Sequence, residues 1–514
     1  MRTARWMLVA CLLHAAGCED EDEAFTSEDN GTEIAGEVSA NAYRSGCGAP
    51  IRIGSYALGG DIITPSGVLA GGYVVVTDET ITAVRTHVEG PPAGVTLIET
   101  NGVIAPGLID GHNHVEYDHI PLADLGKRYT DRDQWPGAAK YKTLVKDPKN
   151  AVTAAGLKCQ ALKHGEVRAL VGGTTAIQGT PESACVRPLV RNLEQANFCQ
   201  DKVRQNVLGI AGFGRPIGKK PSVADQVKAD VSAHKLDTFV VHAGEGIDDH
   251  ELAEWQMLED FGLAIPELVM IHATAFGPQE FRQAAAVGAK IVWSPLSNLL
   301  LYGKTTNVPA AMDAGVMVSL GSDWAPSGSS NVLAELKVAD HVNQWLWGGR
   351  ITDEELVAMV TINPAVTYHL DAHIGSIAVG KAADLLVVTR RPAVSAYRSL
   401  IDARPADVQL VTIAGDPLFG VPATLDTLGK QGDYEVIDAC GVPRAVDVTV
   451  TAKDVPGASE SLASVEQRLA TVNPRLTPVI DCTDDSARKA YAGTPLADPK
   501  PATSGTPASS TWGD

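Results

Sequence analysis

This chain of 514 residues lacks several features that would place it in a common functional class. It has 42 Lys and Arg against 62 Asp and Glu, and no basic cluster offsets the formal charge of −20. Because phosphate binding needs such a cluster, this argues against a nucleic-acid partner. No Cys-x-x-Cys pattern is present, which excludes the common zinc and redox motifs of that type. The apolar run from Trp6 to Leu13 is too short to span a bilayer.

The N-terminus is typical of an export signal. Met1 to Arg5 is short and basic, the apolar run follows, and Ala15-Ala-Gly-Cys18 provides a small-residue cleavage site that resembles a bacterial lipoprotein box, with Ala15 where Leu is usual. We therefore expect a lipoprotein-type signal peptide over residues 1–18 and lipidation of Cys18. Residues 19–48 begin with five acidic residues and predict a disordered tether. The expected location is the bacterial cell envelope, periplasmic or at the cell surface, with membrane contact only through the lipid anchor.

Composition indicates one large domain with a smaller companion, since 45% of the residues are hydrophobic. Short β-rich pieces between residues 49 and 104 predict the first part of a small β-module. Strand patterns return between residues 373 and 455, so we expect both ends of the chain to build one β-sandwich-like domain. Residues 456–514 predict a C-terminal helix and then a disordered tail. In an exported protein some cysteines can pair, for example Cys185 with Cys199.

Between residues 105 and 372, apolar β-rich segments alternate with helical patterns, which indicates repeated βα units around a parallel sheet. An eighth strand is expected but poorly marked. The seven strand candidates are the run from Ala105, then 173–178, 207–211, 238–242, 268–272, 290–293 and 316–323.

Ionisable side chains stand at the ends of these strand candidates. The stretch Ala105-Pro-Gly-Leu-Ile-Asp-Gly-His-Asn-His114 delivers two histidines on one side of an extended segment, where they can hold a metal ion. Alone, His-x-His is equally compatible with a buried strand that ends in histidines. His242, His272 and Asp323 also end apolar strands. The carboxyl ends of the strands form the active-site face of a (β/α)₈ barrel, so the sequence predicts such a barrel with a metal site.

Several blocks together resemble the amidohydrolase superfamily, and the similarity extends over most of the chain. In order and spacing they are most similar to its cytosine deaminase, guanine deaminase and chlorohydrolase branch. The blocks are Pro106–His114, Val241-His-Ala-Gly-Glu245, Ile271-His272, Ser294-Pro-Leu-Ser-Asn298, Leu320-Gly-Ser-Asp323 and Gly375–Leu385. The resemblance implies hydrolysis of a carbon–nitrogen bond, or in some members a carbon–halogen bond, by a metal-activated water.

The resemblance also implies a role for each matching residue. The implied ligands of one divalent metal, Zn²⁺ first with Fe²⁺ or Mn²⁺ as alternatives, are His112, His114, His242 and Asp323. Glu245 matches the glutamate that shuttles protons, although alone it reads as an exposed loop carboxylate flanked by glycines. His272 matches the histidine that holds the water or polarises the substrate. Asp323 would also accept a proton from the water.

The fourth strand candidate bears on the number of metal ions. Two-metal members usually carry a carboxylated lysine at the end of the fourth strand, and Val207 to Phe213 contains no lysine. We therefore expect one metal ion.

Two tryptophans are the predicted substrate-binding residues. Trp324 stands where the relatives commonly have Gly, and we expect it to narrow the pocket. Trp135 lies in a loop with Arg128, Tyr129, Arg132 and Tyr141 that could close over a substrate, or could equally pack its aromatics on the barrel.

The sequence therefore predicts an exported single-metal amidohydrolase that acts on a small molecule. Deamination of a nitrogen heterocycle is the leading reaction. The alternatives are hydrolysis of an amide or cyclic amide, and a non-catalytic surface-binding lipoprotein. Neither the substrate nor the oligomeric state follows from the sequence.

Overall fold

The structure is a computed structural model, and it describes residues 53–179, 189–194, 197–199, 202–208, 212–449 and 459–482. The predicted signal peptide, Cys18, the tether and the tail after residue 482 lie outside the described residues. Across the residues that are described, no helix is long and apolar enough to cross a membrane.

Seventeen strands are assigned in the described part of the chain. They are β1 Ser55–Thr64, β2 Gly67–Thr77, β3 Thr80–Arg85, β4 Thr96–Pro106, β5 Leu108–Asp110, β6 Thr174–Ile177, β7 Arg191–Asn192, β8 Val203–Val207, β9 Thr238–Ala243, β10 Leu268–His272, β11 Lys290–Trp293, β12 Val318–Leu320, β13 Leu385–Thr389, β14 Val408–Ile413, β15 Asp416–Gly420, β16 Glu435–Asp438 and β17 Pro443–Val446.

The helices lie mainly between and after the central strands. They are α1 Ala139–Tyr141, α2 Asp147–Ala154, α3 Lys158–Val171, α4 Val223–Ser232, α5 Asp249–Leu252, α6 Glu254–Asp260, α7 Pro278–Val287, α8 Pro295–Tyr302, α9 Val308–Asp313, α10 Val332–Trp347, α11 Asp353–Ala358, α12 Ile362–Thr367, α13 Ala396–Ile401, α14 Pro422–Thr427 and α15 Leu462–Val472.

Helix boundaries follow local chemistry. Helix α7 begins with Pro278 after Gly277, whose N–H donates to the Glu280 carboxylate, and it ends at Gly288 in the left-handed conformation. Helix α10 begins after Asn331, whose side chain accepts the N–H of Ala334. The sequence pattern predicts helices from Pro278 to Val287 and from Asn331 to Leu346, and α7 and α10 confirm both.

The central strands form two sheets in which every pair is parallel. One has the order β5-β6-β7 and the other β12-β11-β10-β9-β8. Strands β9 and β10 are buried along their whole length, which explains why they read as continuous apolar runs. Backbone hydrogen bonds also join the region of β5 to that of β12. Gly111 N–H donates to Leu320 O at 2.9 Å, and Asp323 N–H donates to His112 O at 2.9 Å.

The sequence located six of these eight strands. The poorly marked one is β7, whose two residues, Arg191 and Asn192, are too few to show a periodicity. The segment proposed at 207–211 was misplaced, because the observed strand runs from Val203 to Val207. Its polar, half-buried centre hides it from a search for apolar runs.

A nine-stranded sheet combines strands from both ends of the described chain. Its order is β16-β17-β15-β14-β13-β4-β1-β2-β3. The antiparallel pairing of β13 with β4 sets Leu386 opposite Ala105 and thereby joins the two halves.

The transition between this sheet and the central strands occurs at Gly107. Pro106 ends β4 and Leu108 begins β5, so the apolar run before the histidines serves two different sheets. A Cβ atom at Gly107 would lie 2.3 Å from Thr175 Cγ2, and only glycine lets the chain pass so close to β6.

One disulfide is described in full. Cys440 and Cys482 are bonded across 42 residues, which ties the C-terminal segment with α15 to the nine-stranded sheet. Cys159 is also disulfide-bonded. The suggested pairing of Cys185 with Cys199 is wrong, because Cys199 is a free, exposed thiol; Cys185 itself lies outside the described residues.

Candidate metal centre

Four side chains converge at the carboxyl ends of the central strands. Each of the four residues His112, His114, His242 and Asp323 offers one ligand atom, and all four atoms lie within 4.8 Å of one another. The Asp323 carboxylate oxygen Oδ1 lies 3.6 Å from His112 Nε2 and 3.7 Å from His114 Nε2. The structure thus brings together the whole set of predicted ligands from three separate stretches of the chain.

Gln178 determines which nitrogen of His112 faces this group. Gln178 Nε2 donates to Glu194 and to Gln205, both at 2.6 Å, so its amide oxygen faces His112. That oxygen accepts a hydrogen bond from His112 Nδ1 at 2.7 Å. Nδ1 therefore carries the proton, and the lone pair of Nε2 points toward Asp323 and His114.

The ring of His272 has the opposite arrangement. Its Nδ1 accepts a hydrogen bond from Asn298 Nδ2 at 2.9 Å, and the amide is oriented because Thr305 donates to its oxygen. A neutral His272 then carries its proton on Nε2, which is buried and lies 3.7 Å from the carboxylate oxygen Oε1 of Glu245. His272 is therefore placed as a hydrogen-bond donor, not as a metal ligand.

The backbone is unusual at two of these residues. His272 has φ 73° and Asp323 has φ 64°, in the left-handed region that few non-glycine residues adopt. Such conformations concentrate at functional sites, where the surrounding structure enforces them.

Asp110 and Asn113 brace the ligand-bearing segments from behind. The buried carboxylate of Asp110 accepts the backbone N–H of Ser322 at 2.9 Å and the Ser322 hydroxyl. Asn113 donates to the Ser322 hydroxyl at 2.9 Å and to Asp118 at 3.2 Å. The residue before Asp323 is thus tied directly to the segment that carries His112 and His114.

Burial controls the protonation of the four ligands. It lowers the pKa of His112 and of His242 well below the usual value, and lowers that of His114 to about 4. The imidazoles are therefore neutral at pH 7, as metal binding requires. Burial, reinforced by the negative charge of Glu245, raises the pKa of Asp323 well above its usual range.

The group fits a divalent cation. Three neutral imidazoles and one carboxylate, of which His112, His242 and Asp323 are buried and His114 is partly exposed, form a borderline donor set suited to Zn²⁺, Fe²⁺ or Mn²⁺. His242 Nδ1 is buried and has no hydrogen-bond partner among the described residues, and a buried polar atom of this kind calls for an explanation.

Glu245 lies beside this group and is buried, with 5% of its surface exposed. The interpretation as an exposed loop carboxylate is therefore wrong. Burial, opposed by the charge of Arg132, raises the pKa of Glu245 to about 7. Its Oε1 accepts a hydrogen bond from the Tyr302 hydroxyl at 2.7 Å.

An aromatic cluster borders the site on the side of His114. The ring of Trp324 lies 6.3 Å from the ring of His114 and between 5.3 and 6.2 Å from those of Tyr117, Trp135 and Tyr141. Trp324 is buried, and its indole N–H donates to the Ser327 hydroxyl. Of the two predicted substrate-binding tryptophans, Trp324 thus lies beside His114, and Trp135 packs against Trp324 in the same aromatic cluster.

Arg132 does not offer its charge to a substrate. It is buried and donates to Glu254 at 2.9 Å, to Glu251 at 3.2 Å and to Leu208 O at 3.2 Å. Glu254 also accepts the N–H of Gly244, the residue before Glu245. The suggestion of a cation contact is therefore wrong for this arginine, which instead clamps the loop to the strand end that bears Glu245.

Strand β8 is the fourth of the central strands and contains no lysine. Its residues are Val-Arg-Gln-Asn-Val, and Lys202 precedes it in an ion pair with Asp237 at 3.1 Å. The fourth strand therefore lacks a lysine at its observed position as well as at its predicted one. This absence is the reason for expecting one metal ion.

Sequence reasoning missed three residues that contact the predicted site. Gln178 directly follows β6, and a search for polar side chains at the ends of the strand candidates would have found it. Asn298 ends a motif block quoted above, and Tyr302 follows it by one helical turn. For Tyr302 no sequence signal pointed to Glu245, because the two residues are 57 positions apart.

Buried imidazoles and a carboxylate at the ends of parallel strands define a metal-binding α/β protein. A family model described as the amidohydrolase family matches residues 219–418. Two solved structures share the fold. They are an adenosine deaminase from Xanthomonas campestris with bound zinc (TM-score 0.53, 19% identity, 73% of this chain and 97% of that one) and atrazine chlorohydrolase from Arthrobacter aurescens complexed with zinc (TM-score 0.55, 17% identity, 71% and 95%).

Two curated relatives are deaminases. The 5-methylthioadenosine/S-adenosylhomocysteine deaminase of Pyrococcus furiosus is 30% identical over 174 residues, or 31% of this chain and 40% of that protein. The 5′-deoxyadenosine deaminase of Methanothermobacter thermautotrophicus is 24% identical over 435 residues, 75% of this chain and 95% of that protein. The match over residues 219–418 agrees with the resemblance of the motif blocks to the amidohydrolase superfamily, and the likeness to the solved structures shows a TIM-barrel-type α/β fold.

Proposed function

We propose that this protein is a metal-dependent hydrolase that removes the exocyclic amino group of a nitrogen heterocycle and releases ammonia. The observation that carries the proposal is the convergence of four predicted metal ligands, three of them buried, with Glu245 and His272, two further groups able to exchange protons. In this reaction the oxygen of water bonds to the ring carbon, and the carbon–nitrogen bond to the amino group breaks. Of the two protons of the water, one goes to the leaving amino group, which departs as ammonia, and the other ends on the ring nitrogen of the oxo product.

Each proton transfer has a residue placed for it. Asp323 lies against the ligand histidines, where a carboxylate can take the proton that water loses. Glu245, with its pKa raised to about 7, can carry a proton to a ring nitrogen or to the leaving amine near neutral pH. The Nε2–H of His272 can donate to the developing negative charge on the substrate.

We infer that the site holds one divalent ion, Zn²⁺ first, with Fe²⁺ or Mn²⁺ as alternatives. His112, His114, His242 and Asp323 would hold it, and when bound it supplies a nucleophile at neutral pH by lowering the pKa of water. The lysine-free β8 supports a single ion. The zinc bound in the two solved structures supports that choice of metal.

The substrate class follows from the wall of the site and from the relatives. The aromatic cluster around Trp324 offers ring faces on which a planar heterocycle can stack. Both curated relatives are named for deamination of adenine-containing compounds. We therefore propose 6-aminopurine nucleosides as the first substrates to test, with Trp324 and Trp135 as substrate-binding residues.

We further propose that the eight central strands close into one (β/α)₈ barrel over residues 105–372. The backbone hydrogen bonds from Gly111 to Leu320 and from Asp323 to His112 support closure on one side. On the other side, Gln178 at the end of β6 donates to Gln205 on β8. A β-sandwich-like arrangement of the nine-stranded sheet is supported by one apolar cluster shared by Tyr56, Val74, Leu385, Leu410 and Ala445.

We propose that the protein is exported and anchored through a lipid on Cys18. The basic N-terminus, the short apolar run and the small-residue site before Cys18 support this. The disulfide between Cys440 and Cys482 adds support, because such bonds persist in oxidising compartments. Labelling with a lipid precursor in a bacterial host tests it, and loss of label in Cys18→Ala is the expected result.

Ammonia release from a panel of purine, pyrimidine and triazine compounds tests the function. Zinc-loaded protein should deaminate one or more adenine nucleosides, and Glu245→Gln should lower the rate by roughly 10²- to 10⁴-fold while retaining the metal. Hydrolysis of cyclic amides without ammonia release from amines would establish the alternative reaction. Full function in Glu245→Gln would indicate a non-catalytic binding protein.

A further inference from the structure

One face of helix α8 presents two side chains to the proton-transfer groups. Asn298 contacts His272 Nδ1 at 2.9 Å, and Tyr302, four residues later, contacts Glu245 Oε1 at 2.7 Å. Residues four apart lie on the same side of a helix, so one element sets both groups. The two groups also face each other, since His272 Nε2 lies 3.7 Å from Glu245 Oε1.

The hydrogen bonds around Tyr302 have only one possible direction. The indole N–H of Trp135 can only donate, and it lies 3.0 Å from the Tyr302 hydroxyl. That hydroxyl therefore accepts from Trp135 and keeps its single proton for Glu245. Because Oε1 of Glu245 is occupied as an acceptor, a proton carried by this carboxyl group is directed to Oε2.

The loop that contains Trp135 is packed against the same helix end. Tyr129 N–H donates to Leu301 O at 2.8 Å, and Tyr129, Leu301 and Tyr302 share a buried apolar cluster. The loop also pairs with the glutamate's own strand end, through a backbone bridge between Asp131 and Gly246 and the donation of Ile247 N–H to Thr130 O at 2.7 Å. Placement of Trp135, Tyr302 and Glu245 is thus interdependent.

We propose that Tyr302 is a positioning residue that orients the Glu245 carboxyl group for proton transfer, and that Trp135 acts through Tyr302, so that the packing of the 128–141 loop supports this orientation. The inference rests on the proposed function in giving Glu245 the proton-transfer role. It adds that two successive hydrogen bonds of fixed direction, from Trp135 to Tyr302 and from Tyr302 to Glu245, link the loop to the proton-transfer group.

Tyr302→Phe removes the hydroxyl and keeps the ring that packs on Tyr129 and Leu301. We expect kcat to fall by roughly 10- to 100-fold, the factor for one lost hydrogen bond to a charged group, with KM changed by less than about threefold. Trp135→Phe should lower kcat in the same direction by a smaller factor. The double variant should be no slower than Tyr302→Phe, because Trp135 acts through Tyr302.

Tyr434→Phe is the matched control. Its hydroxyl donates to the Asp426 carboxylate at 2.9 Å, the same chemical pair, but on an exposed surface beside the nine-stranded sheet. Its kcat and KM should equal those of the wild type. If Tyr302→Phe also equals the wild type while Glu245→Gln is inactive, the inference is overturned and the proposed function stands. If Glu245→Gln is active, both fall.

An NMR spectrum tests the hydrogen bonds from Trp135 to Tyr302 and from Tyr302 to Glu245 without a measurement of catalysis. In ¹⁵N-labelled, metal-loaded protein, the indole N–H signal of Trp135 can be assigned among the eight tryptophans by its loss in Trp135→Phe. It should move upfield in Tyr302→Phe and should shift in Glu245→Gln, because the bonds are linked. A Trp135 signal that is unmoved in Tyr302→Phe overturns the inference whatever the rates.

Discussion

The amide oxygen of Gln178 accepts the Nδ1–H of His112 at 2.7 Å, and this contact aims the other ring nitrogen of His112 at the predicted metal. Gln178 is itself held by Glu194 and Gln205, so the orientation of a ligand on β5 depends on side chains from two neighbouring strand regions. The first prediction follows from this relationship.

Gln178→Leu should weaken binding of Zn²⁺ by roughly 10- to 100-fold, because the partner of a ligating histidine maintains its tautomer and ring position. Competition with a chelating dye measures the change. Gln256→Leu is the control. Gln256 lies on the exposed side of α6, where its amide donates a hydrogen bond to the Asp260 carboxylate. Equal affinities of Gln178→Leu and the wild type would contradict the assignment of Nε2 as the ligand atom.

The second prediction separates ligands from donors. His272→Gln should retain close to one equivalent of metal, because its Nδ1 accepts from Asn298 and its Nε2 carries a proton. His242→Gln should lose most of the metal, as one of four ligands is removed. Metal content by mass spectrometry after desalting distinguishes the two. A large loss of metal in His272→Gln would show that this residue is a ligand, contrary to the geometry.

The third prediction concerns stability and pH. Glu335 on α10 is fully buried and accepts the N–H of Leu296 at the start of α8 at 2.9 Å. Burial raises its pKa from 4.5 to about 8. The folded protein therefore keeps a proton that the unfolded chain has lost between these values. Its contribution to stability is complete below pH 4.5 and is lost as pH rises toward 8, with a slope of up to about 1.4 kcal/mol per pH unit.

Glu335→Gln should flatten this part of the pH dependence of the free energy of unfolding, since the amide does not ionise. Urea denaturation between pH 5 and about 8 measures the slope. Glu99→Gln, at an exposed position of β4, should leave the slope as in the wild type. An unchanged slope in Glu335→Gln would show that Glu335 does not titrate in this range.

The fourth prediction concerns the C-terminal segment. The disulfide between Cys440 and Cys482 closes a loop of 42 residues, and its removal in the double Ser variant should lower the free energy of unfolding by about 2–4 kcal/mol. Cys199→Ser, at the exposed free thiol, should change it by less than about 0.5 kcal/mol. The disulfide is removed by substitution and not by a reducing agent, because a reducing agent would also break the disulfide of Cys159. Equal stabilities would mean that α15 is held by packing alone.

Much of the site could be predicted from the sequence because its predicted ligands stand at the carboxyl ends of strand candidates. His112, His242 and Asp323 each follow an apolar run, and parallel strands bring their carboxyl ends to one edge of the sheet whatever lies between them. This prediction failed where a strand was polar or very short. Strand β8 is half-buried with a polar centre, and β7 has two residues, so neither shows an apolar run.

Contacts between residues that are far apart in the sequence could not be predicted from it. The loop of Arg132 could equally have covered a substrate or packed on the barrel, and only the position of Glu251 and Glu254 shows that its charge is already satisfied. Similarly, the glycine neighbours of Glu245, taken alone, favour an exposed carboxylate, whereas its burial depends on the loop and helix packed over it.

The sequence by itself determined the class of fold and predicted the metal-ligating side chains, because strand periodicity and the order of the motif blocks are local properties of the chain. Only the tertiary structure decided which nitrogen of His112 and of His272 faces the site, that Glu245 is buried, and that Tyr302 contacts Glu245 while Trp135 contacts Tyr302. Those properties depend on hydrogen-bond direction and on exclusion of water, and both arise only when side chains distant along the chain are packed together.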